Sequence, residues 1–214
     1  VSFHTANGDD PEGASIVSSL KENQIATGDI SQVKGRTTLT KIRFFGSRES
    51  LLDRTQILLQ ADKGPNEELD PSISESLTKT ALTNVPDSCA LVISDYDKGF
   101  LDTEKIFELV ETFNGPVFID SKKSKLPKKG CFIKINELED SKLKGIYRNK
   151  IVTKGSAGAE YKGKIYPGEK VPCFDVAGAG DTFLTASVYF YLEYGKIEKA
   201  IPYANKAAAI AVQN

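Results

Sequence analysis

The chain has 214 residues, of which 40% are hydrophobic and 27% charged, with 28 lysines and arginines against 29 aspartates and glutamates. This length and apolar content predict one folded domain of ordinary size and exclude a disordered chain. The balanced charge argues against a nucleic-acid or membrane partner, and no apolar run approaches the ~20 residues that a membrane-spanning helix needs.

The N-terminal third predicts two helices on either side of a β-hairpin. Residues 10–20 are predicted to be helical, because an aspartate that can cap free N–H groups precedes a proline that fits a first turn. Residues 37–45 and 51–59 are rich in β-forming side chains and flank a Gly-Ser turn, which predicts a hairpin. Apolar residues at helical spacing predict a second helix over residues 72–82.

The rest of the chain alternates short apolar runs with helical stretches. This alternation is typical of a parallel α/β sheet with crossover helices. The predicted strands are 90–93, 116–119, 132–135 and 150–153, followed by a hairpin of 159–161 with 164–166, and the predicted helices are 102–113, 180–194 and 197–212.

Polar residues follow each predicted parallel strand at the point where it ends. They are Asp95, Asp120, Asn136 and Lys154. Because ligands of open α/β sheets bind beside the carboxyl ends of the strands, we expect the functional site at this edge.

The cysteine and histidine content excludes several kinds of site. Cys89, Cys131 and Cys173 are far apart, so neither a disulfide framework nor a CxxC metal site is expected, and a reducing cytoplasm fits best. A single histidine, His4, leaves no material for a His-rich metal site or a Ser-His-Asp triad. The chain contains no methionine and begins with Val1, so we expect a processed product or a fragment.

The segment Asp175–Phe183 carries the strongest chemical signal. Gly178, Ala179 and Gly180 precede Asp181 at the start of a helix that is apolar nearly all round and therefore buried. Small residues at a helix N-terminus let an anion approach unpaired N–H groups and the positive end of the helix dipole. A carboxylate beside that anion could accept a proton from an attacking hydroxyl. The alternative is an ordinary glycine-rich turn in which Asp181 is the N-cap.

Residues 175–181 resemble the D-T-x-G-A-G-D signature of the PfkB, or ribokinase-like, carbohydrate kinases, with Val176 and Ala177 replacing the threonine and the variable residue. Four further segments resemble motifs of this family in the same order along the chain. They are 8–13 (G-x-D-x-x-G), 136–139 (N-x-x-E), 152–159 (T-x-G-x-x-G) and 204–208 (A-N-x-A-A).

Within the family, the chain is most similar to the heptose 7-phosphate kinases. Three segments carry this similarity: 94–99 (S-D-Y-x-K-G), 119–122 (V-D-P-K) and 37–43 (the T-T-x-K-x-R lid strand).

The resemblance implies a ribokinase-like three-layer α/β/α sandwich with a small β lid. It implies a single kinase domain over residues 1–214, truncated at both ends, with the lid hairpin at 36–60. The lid would close over the sugar and form a homodimer contact, although a plain edge excursion is the alternative. The substrates would be MgATP and a sugar or sugar phosphate, with heptose 7-phosphate favoured.

The roles implied for individual residues follow the matched motifs. Asp181 would be the catalytic base, with the backbone of Gly178, Ala179 and Gly180 as the anion hole. Glu139 would act on Mg²⁺ through a bound water, as suits a cation that keeps several waters. The other nucleotide-binding residues would be Asn136, Lys122, Thr153, Gly155, Gly158 and Asn205, and the substrate-binding residues would be Asp95, Lys98, Lys41, Arg43 and Asp9.

The span 122–134 holds six lysines. We expect most of them to be ordinary solvated charges. Lys122 is the exception, because its position in the family resemblance would let it neutralise phosphate charge.

Other functions stay open at this point. The acceptor could be fructose, ribose or a nucleoside, or the chain could be a catalytically silent protein that binds nucleotide or sugar phosphate. A dinucleotide-binding oxidoreductase is disfavoured, because the G-x-G-x-x-G fingerprint is absent from the sequence.

Overall fold

The computed structural model describes residues 1–46, 56–64, 69–84, 88–128, 130–172 and 175–213. The chain divides into two compact units, Val1–Asn84 and Val85–Asn214. Cys173 and the first half of the predicted strand 51–59 lie outside the described residues.

The first unit pairs two short parallel strands and one antiparallel hairpin. Strand β1 pairs with β2 in parallel, and β3 pairs with β4 in antiparallel orientation, so the predicted hairpin is confirmed over its described residues. Both predicted helices are also confirmed. The elements are β1 (Thr5–Gly8), α1 (Pro11–Glu22), β2 (Ile30–Val33), β3 (Thr40–Gly46), β4 (Gln56–Lys63) and α2 (Pro71–Asn84).

Asp10 starts α1 and ties it to the segment before β3. Its Oδ1 accepts hydrogen bonds from the N–H of Gly13 at 2.9 Å and from the hydroxyl of Thr38 at 2.6 Å. Its Oδ2 accepts from the N–H of Thr38 at 2.7 Å, and the Thr38 hydroxyl oxygen in turn accepts from Gly8 N–H. The side-chain hydrogen bond from Thr38 is the largest of several contacts that lower the pKa of Asp10 to about 2.

The second unit is a six-stranded mixed sheet flanked by helices, as the alternation of apolar runs and helical stretches predicts. The strand order is β10-β9-β8-β7-β6-β5. Strands β5 to β8 are parallel to one another, whereas β9 pairs in antiparallel orientation with both β8 and β10. The elements are β5 (Leu91–Asp95), α3 (Thr103–Thr112), β6 (Val117–Ser121), β7 (Cys131–Asn136), α4 (Glu137–Lys142), β8 (Lys150–Thr153), β9 (Ala159–Tyr161), β10 (Lys164–Tyr166), α5 (Ala179–Tyr194) and α6 (Ile197–Ala211).

Alternation along the strands gives the sheet two apolar faces. Phe118 and Ile151 belong to a core cluster with Phe183 and Leu184 of α5 and with the buried face of α6. The residues that alternate with these along each strand point to the opposite face of the sheet, and some of them, such as Val117, are buried there. The helix α3 also buries the apolar residues of one face. Burial on both faces explains why these strands read as nearly continuous apolar runs.

Two strands extend further than their apolar runs. β5 reaches Asp95 and β6 reaches Ser121, because the parallel ladder continues through the pairs Ser94–Asp120 and Asp95–Ser121. The apolar pattern underestimates the length of strands that end in polar residues, because the backbone pairing of the strands continues past the last apolar side chain. Within the described ranges, no helix is long and apolar enough to cross a membrane.

We expect Asp10→Asn to lower the melting temperature of the protein at pH 7 by a few degrees, because the amide oxygen can still cap the helix but the amide NH₂ cannot accept the hydrogen bond that Oδ2 receives from Thr38 N–H. The folded-state pKa of Asp10 is depressed to about 2, so its stabilisation is complete above about pH 4 and is lost as the pH falls through about 2. The difference between wild type and variant in thermal melts should therefore shrink across that window. Asp9→Asn is the matched control, and an equal loss from it would contradict the special role of Asp10.

Candidate active site

The first turn of α5 offers open N–H groups at the carboxyl edge of the sheet. Gly178 is its N-cap in the left-handed conformation, with φ of 75°, and has no side chain with which to cap the helix. Its carbonyl accepts from Thr182 N–H at 2.8 Å. Among the described residues, no backbone carbonyl accepts from the N–H groups of Gly180 and Asp181. Unpaired N–H groups of this kind are what an anion hole requires, and the binding of an anion here stays a prediction.

Asp181 is not the N-cap of α5, so the ordinary-turn alternative is wrong on this point. It is the third residue of the helix, and its exposed side chain projects from the first turn. The turn before the helix is instead shaped by Asp175, whose Oδ1 accepts from Ala177 N–H at 2.9 Å. Asp181 is left with a carboxylate that the capping of this helix does not use.

A buried ion pair lies under the first turn of α5. Lys134 and Asp120 are direct partners in the β6–β7 register, and Lys134 Nζ lies 2.6 Å from Asp120 Oδ2. The side chains are only 9% and 14% exposed. A methyl group at position 180 would sit 2.7 Å from Lys134 Nζ, so glycine at that position leaves room for the ammonium group beside the backbone of α5.

The electrostatics of this pair depend on its burial. Burial raises the pKa of Asp120, as do the carboxylates of Glu139 and Asp181, while the Lys134 ammonium opposes this rise. Both charges of the pair are weakly screened by water because they are buried, which strengthens their attraction for each other.

The expectation that most lysines of the span 122–134 are solvated is wrong for Lys134, which is buried. It is 7% exposed, because it occupies the α5-facing side of β7 between Phe132 and Asn136. The available signal was a charge inside an otherwise apolar strand. Lys129 of the same lysine-rich span lies outside the described residues.

Tyr96 contacts the Asp181 carboxylate directly and was also missed. Its hydroxyl lies 2.8 Å from Oδ1 and 2.9 Å from Oδ2 of Asp181. Burial, followed by the hydrogen bond to Asp181, raises the pKa of Tyr96 well above its ordinary value, so the phenol is the donor. Lys122 places its ammonium 4.9 Å from the centre of the Tyr96 ring.

Two of the predicted substrate-binding residues, Asp95 at the end of β5 and Lys98 just after it, differ in their surroundings. Asp95 is buried, and its carboxylate accepts from the Ser121 hydroxyl at 2.8 Å and from Asp97 N–H at 3.0 Å. Its contacts in this structure are therefore internal, and its role at a sugar phosphate stays a prediction. Lys98 is exposed.

Asn136 and Glu139 form a reciprocal capping box on α4. Asn136 Oδ1 accepts from Glu139 N–H at 2.8 Å, and Glu139 Oε2 accepts from Asn136 N–H at 2.9 Å. The N-x-x-E spacing thus has a local structural purpose that the sequence analysis missed, since S/T/D/N-x-x-E is also the signature of a helix start. Their roles at nucleotide and metal stay predictions.

The described residues contain no group of three or more His, Cys, Asp or Glu side chains that could hold a metal ion. Mg²⁺ in kinases needs only one or two protein carboxylates, because phosphates and water complete its shell. Glu139, partly exposed and with one oxygen committed to the cap, fits a water-mediated contact of this kind.

The residues predicted along the nucleotide are held by local contacts. The Thr153 hydroxyl donates to Ile135 O at 3.2 Å. Gly155 begins a single 3₁₀ turn, and a side chain at Gly158, where φ is 97°, would overlap the carbonyl of Tyr166. Asn205 is buried, and its Nδ2 donates to Tyr166 O at 2.8 Å, which joins α6 to the end of β10.

Three predicted substrate-binding residues, Asp9, Lys41 and Arg43, belong to the first unit. Asp9 is exposed, and its Oδ1 accepts from Gly35 N–H at 2.9 Å. Lys41 and Arg43 lie on one face of β3, and Arg43 Nε donates to Gln60 Oε1 at 3.3 Å. Their contact with substrate stays a prediction.

We expect Lys134→Met to destabilise the protein by about 3–5 kcal/mol, because it leaves the Asp120 carboxylate buried without its counter-charge. Adding Asp120→Asn should recover part of this loss, since no buried charge then remains. Urea denaturation measures both effects. Lys150→Met is the control, because its ion pair with Asp140 is about one-third exposed and should contribute at most ~1 kcal/mol. Equal losses at positions 134 and 150 would contradict this account of the buried pair.

Comparison with known sequences places this geometry in a family context. Residues 133–214 match the model of the pfkB family carbohydrate kinases. The bifunctional protein HldE of Sulfurimonas denitrificans is 29% identical over 99% of this chain and 49% of its own length. HldE of Helicobacter pylori is 28% identical over 96% of this chain and 49% of its own length. The chain therefore spans about half the length of these curated relatives.

Comparison with solved structures gives the fold. Ribokinase from Thermotoga maritima matches with a TM-score of 0.66 at 22% identity, covering 99% of this chain and 74% of that one. Arabidopsis thaliana ribokinase complexed with ribose and ATP matches with a TM-score of 0.68 at 17% identity, covering 99% and 75%. The match to the pfkB family model covers residues 133–214, the matched curated relatives are HldE proteins, and the likeness to solved structures shows a ribokinase-like fold.

Proposed function

We propose that this chain transfers the γ-phosphoryl group of MgATP to a hydroxyl of a sugar or sugar phosphate, with heptose 7-phosphate as the favoured acceptor. The observation that carries the proposal is the grouping of a helix start with unpaired N–H groups, a buried ammonium and an exposed carboxylate. These are the N–H groups of Gly180 and Asp181, Lys134 Nζ, and the side chain of Asp181. Phosphoryl transfer needs these parts, because it is catalysed mainly by positioning and charge stabilisation.

In the proposed reaction, the acceptor hydroxyl attacks the γ-phosphorus while Asp181 takes its proton. The bond from the γ-phosphorus to the β,γ-bridging oxygen breaks, and ADP leaves. Negative charge on the transferring group faces the N–H groups of Gly180 and Asp181, with Lys134 beneath them. Mg²⁺, when bound by the phosphates, would neutralise further charge, and Glu139 would hold one of its waters. Lys122 would add a further cation near the phosphates.

The choice of heptose 7-phosphate is supported by sequence likeness. Residues 94–99 and 119–122 resemble heptose kinase motifs, and the matched relatives are HldE proteins. Ribokinases and a nucleoside kinase complexed with inosine share only the fold at this level of identity, so ribose, fructose and nucleosides remain the alternative acceptors. Use of ATP would place the reaction in the cytoplasm, which the cysteine content also favours.

The function is tested by measuring ADP release from MgATP with a panel of acceptors. We expect the highest kcat/KM with heptose 7-phosphate, and little ADP release without an acceptor. Preference for ribose, fructose or a nucleoside would reassign the substrate. Binding of ATP without turnover on any acceptor would favour the catalytically silent alternative and contradict the proposal.

We expect Asp181→Asn to lower kcat by about 10²–10⁴-fold, because the amide cannot accept the hydroxyl proton. Affinity for nucleotide should change little, since the N–H groups of the turn and Lys134 are retained. Acceptor-dependent ADP release and nucleotide titration measure the two quantities. Glu108→Gln, on the exposed side of α3, is the control for loss of a surface carboxylate. Full activity of Asp181→Asn would sink the assignment of the base.

We also propose that the β3–β4 hairpin forms a homodimer with a second copy of the chain. Ile42, Phe44 and Leu59 lie on one face of the hairpin, and Phe44 is directly opposite Leu59. They are 39%, 51% and 58% exposed. The other face carries Lys41 and Arg43. A two-stranded sheet with one exposed apolar face is marginal in water, so burial against an identical face would stabilise it.

We expect Phe44→Glu to shift the protein from dimer to monomer at micromolar concentration, because paired hairpins would bring two buried carboxylates together. Sedimentation velocity measures the assembly state. Gln60→Glu, on the polar face, is the matched control and should leave the dimer intact. A monomeric wild-type protein, or dissociation by both variants alike, would contradict the interface.

A further inference from the structure

Tyr96 joins the end of β5 to the first turn of α5 through a single side chain. Among the described residues, it is the only side chain that hydrogen-bonds the Asp181 carboxylate, and its hydroxyl lies within 2.9 Å of both oxygens. A phenol shared between two carboxylate oxygens restricts rotation of the carboxylate about its last side-chain bond. The orientation of the Asp181 carboxylate is therefore set by Tyr96.

The backbone that carries Tyr96 is held in place on both sides. Asp95 Oδ1 accepts from Asp97 N–H at 3.0 Å, and Asp95 Oδ2 accepts from the Ser121 hydroxyl at 2.8 Å. Asp97 adopts the left-handed conformation, with φ of 55°, and Lys123 forms ion pairs with both aspartates. A sharp turn with this many internal contacts presents the Tyr96 side chain in one direction.

The ring of Tyr96 is also held from the side. Lys122 Nζ lies 4.9 Å from the ring centre, within the range of a cation–π contact. The phenol is thus fixed at its backbone, at its ring and at its hydroxyl. Side chains arranged in this way position a neighbouring group at little entropic cost during reaction.

We propose that Tyr96 is a positioning residue for the base, an inference that rests on the proposed function. Its O–H would hold the Asp181 carboxylate so that a remaining lone pair faces the acceptor hydroxyl. A carboxylate has about four acceptor positions, so it can accept from Tyr96 and from the acceptor hydroxyl at once. The proton moves from the acceptor hydroxyl to Asp181, and Tyr96 keeps its own.

Tyr96→Phe tests this role, because it keeps the ring and its contact with Lys122 and removes only the hydroxyl. We expect kcat to fall about 10–100-fold, as for loss of a hydrogen bond to a charged group, while KM for ATP and for the acceptor stays within about twofold. Tyr189→Phe, an exposed tyrosine of α5, is the matched control and should leave kcat unchanged. Unchanged kcat in Tyr96→Phe, or a rise in KM alone, would overturn the proposal.

The double variant separates this inference from the proposed function. If Tyr96 acts through Asp181, then adding Tyr96→Phe to Asp181→Asn should lower the residual rate less than about twofold. Losses that multiply would mean that Tyr96 acts independently, and would overturn the inference while leaving the base intact. Full activity of Asp181→Asn would instead contradict the proposed function.

The contact itself can be measured without turnover. With fluorotyrosine at position 96, we expect the ¹⁹F resonance to move on Asp181→Ala and to stay in place on Glu108→Ala. If the ¹⁹F resonance does not move on Asp181→Ala, the inference is overturned, whatever the catalytic rates.

Discussion

The ion pair of Lys134 with Asp120 is the interaction on which the candidate site depends. It puts an ammonium group beside the first turn of α5, next to the N–H groups that are proposed to bind phosphate. Asp120 makes that charge tolerable in a buried position, and Gly180 leaves the space that the ammonium occupies. The parallel register of β6 and β7 places the two side chains opposite each other. The charge of the site is therefore built into the sheet rather than contributed by a surface loop.

The site is assembled from the carboxyl ends of adjacent strands, each held by contacts that also stabilise the fold. The buried carboxylate of Asp95 shapes the turn after β5, and Tyr96 extends from that turn to Asp181. Asn205 fixes α6 to the end of β10 in a similar way. Under the proposed function, a substitution at these positions would change stability and chemistry together, so measurements of activity need matched measurements of unfolding.

The sequence predicted the order of the larger elements and the helix start that could bind an anion. Long segments such as α3 and α5 could be predicted, because α3 has one apolar face and α5 is apolar nearly all round. The expectation that α5 is therefore buried is wrong, because Tyr189 and Leu192 are 64% and 47% exposed. β1 and β2 were missed, because four-residue strands of mixed polarity carry little periodic signal. Lys134 and Tyr96 were missed because their roles arise only when distant strands come together. A lysine in a lysine-rich stretch and a tyrosine after a strand have the same local pattern whether they face solvent or a carboxylate.

The capping box of α4 has a consequence for how variation in such domains is interpreted. The backbone N–H of each of Asn136 and Glu139 donates to the side chain of the other, so loss of either side chain leaves one N–H of the helix start without its acceptor. Natural selection for a well-formed helix end would retain this pair even in a lineage that had lost phosphate chemistry. Retention of N-x-x-E across descendants is therefore a record of folding as much as of catalysis, and a degenerate kinase could carry it unchanged.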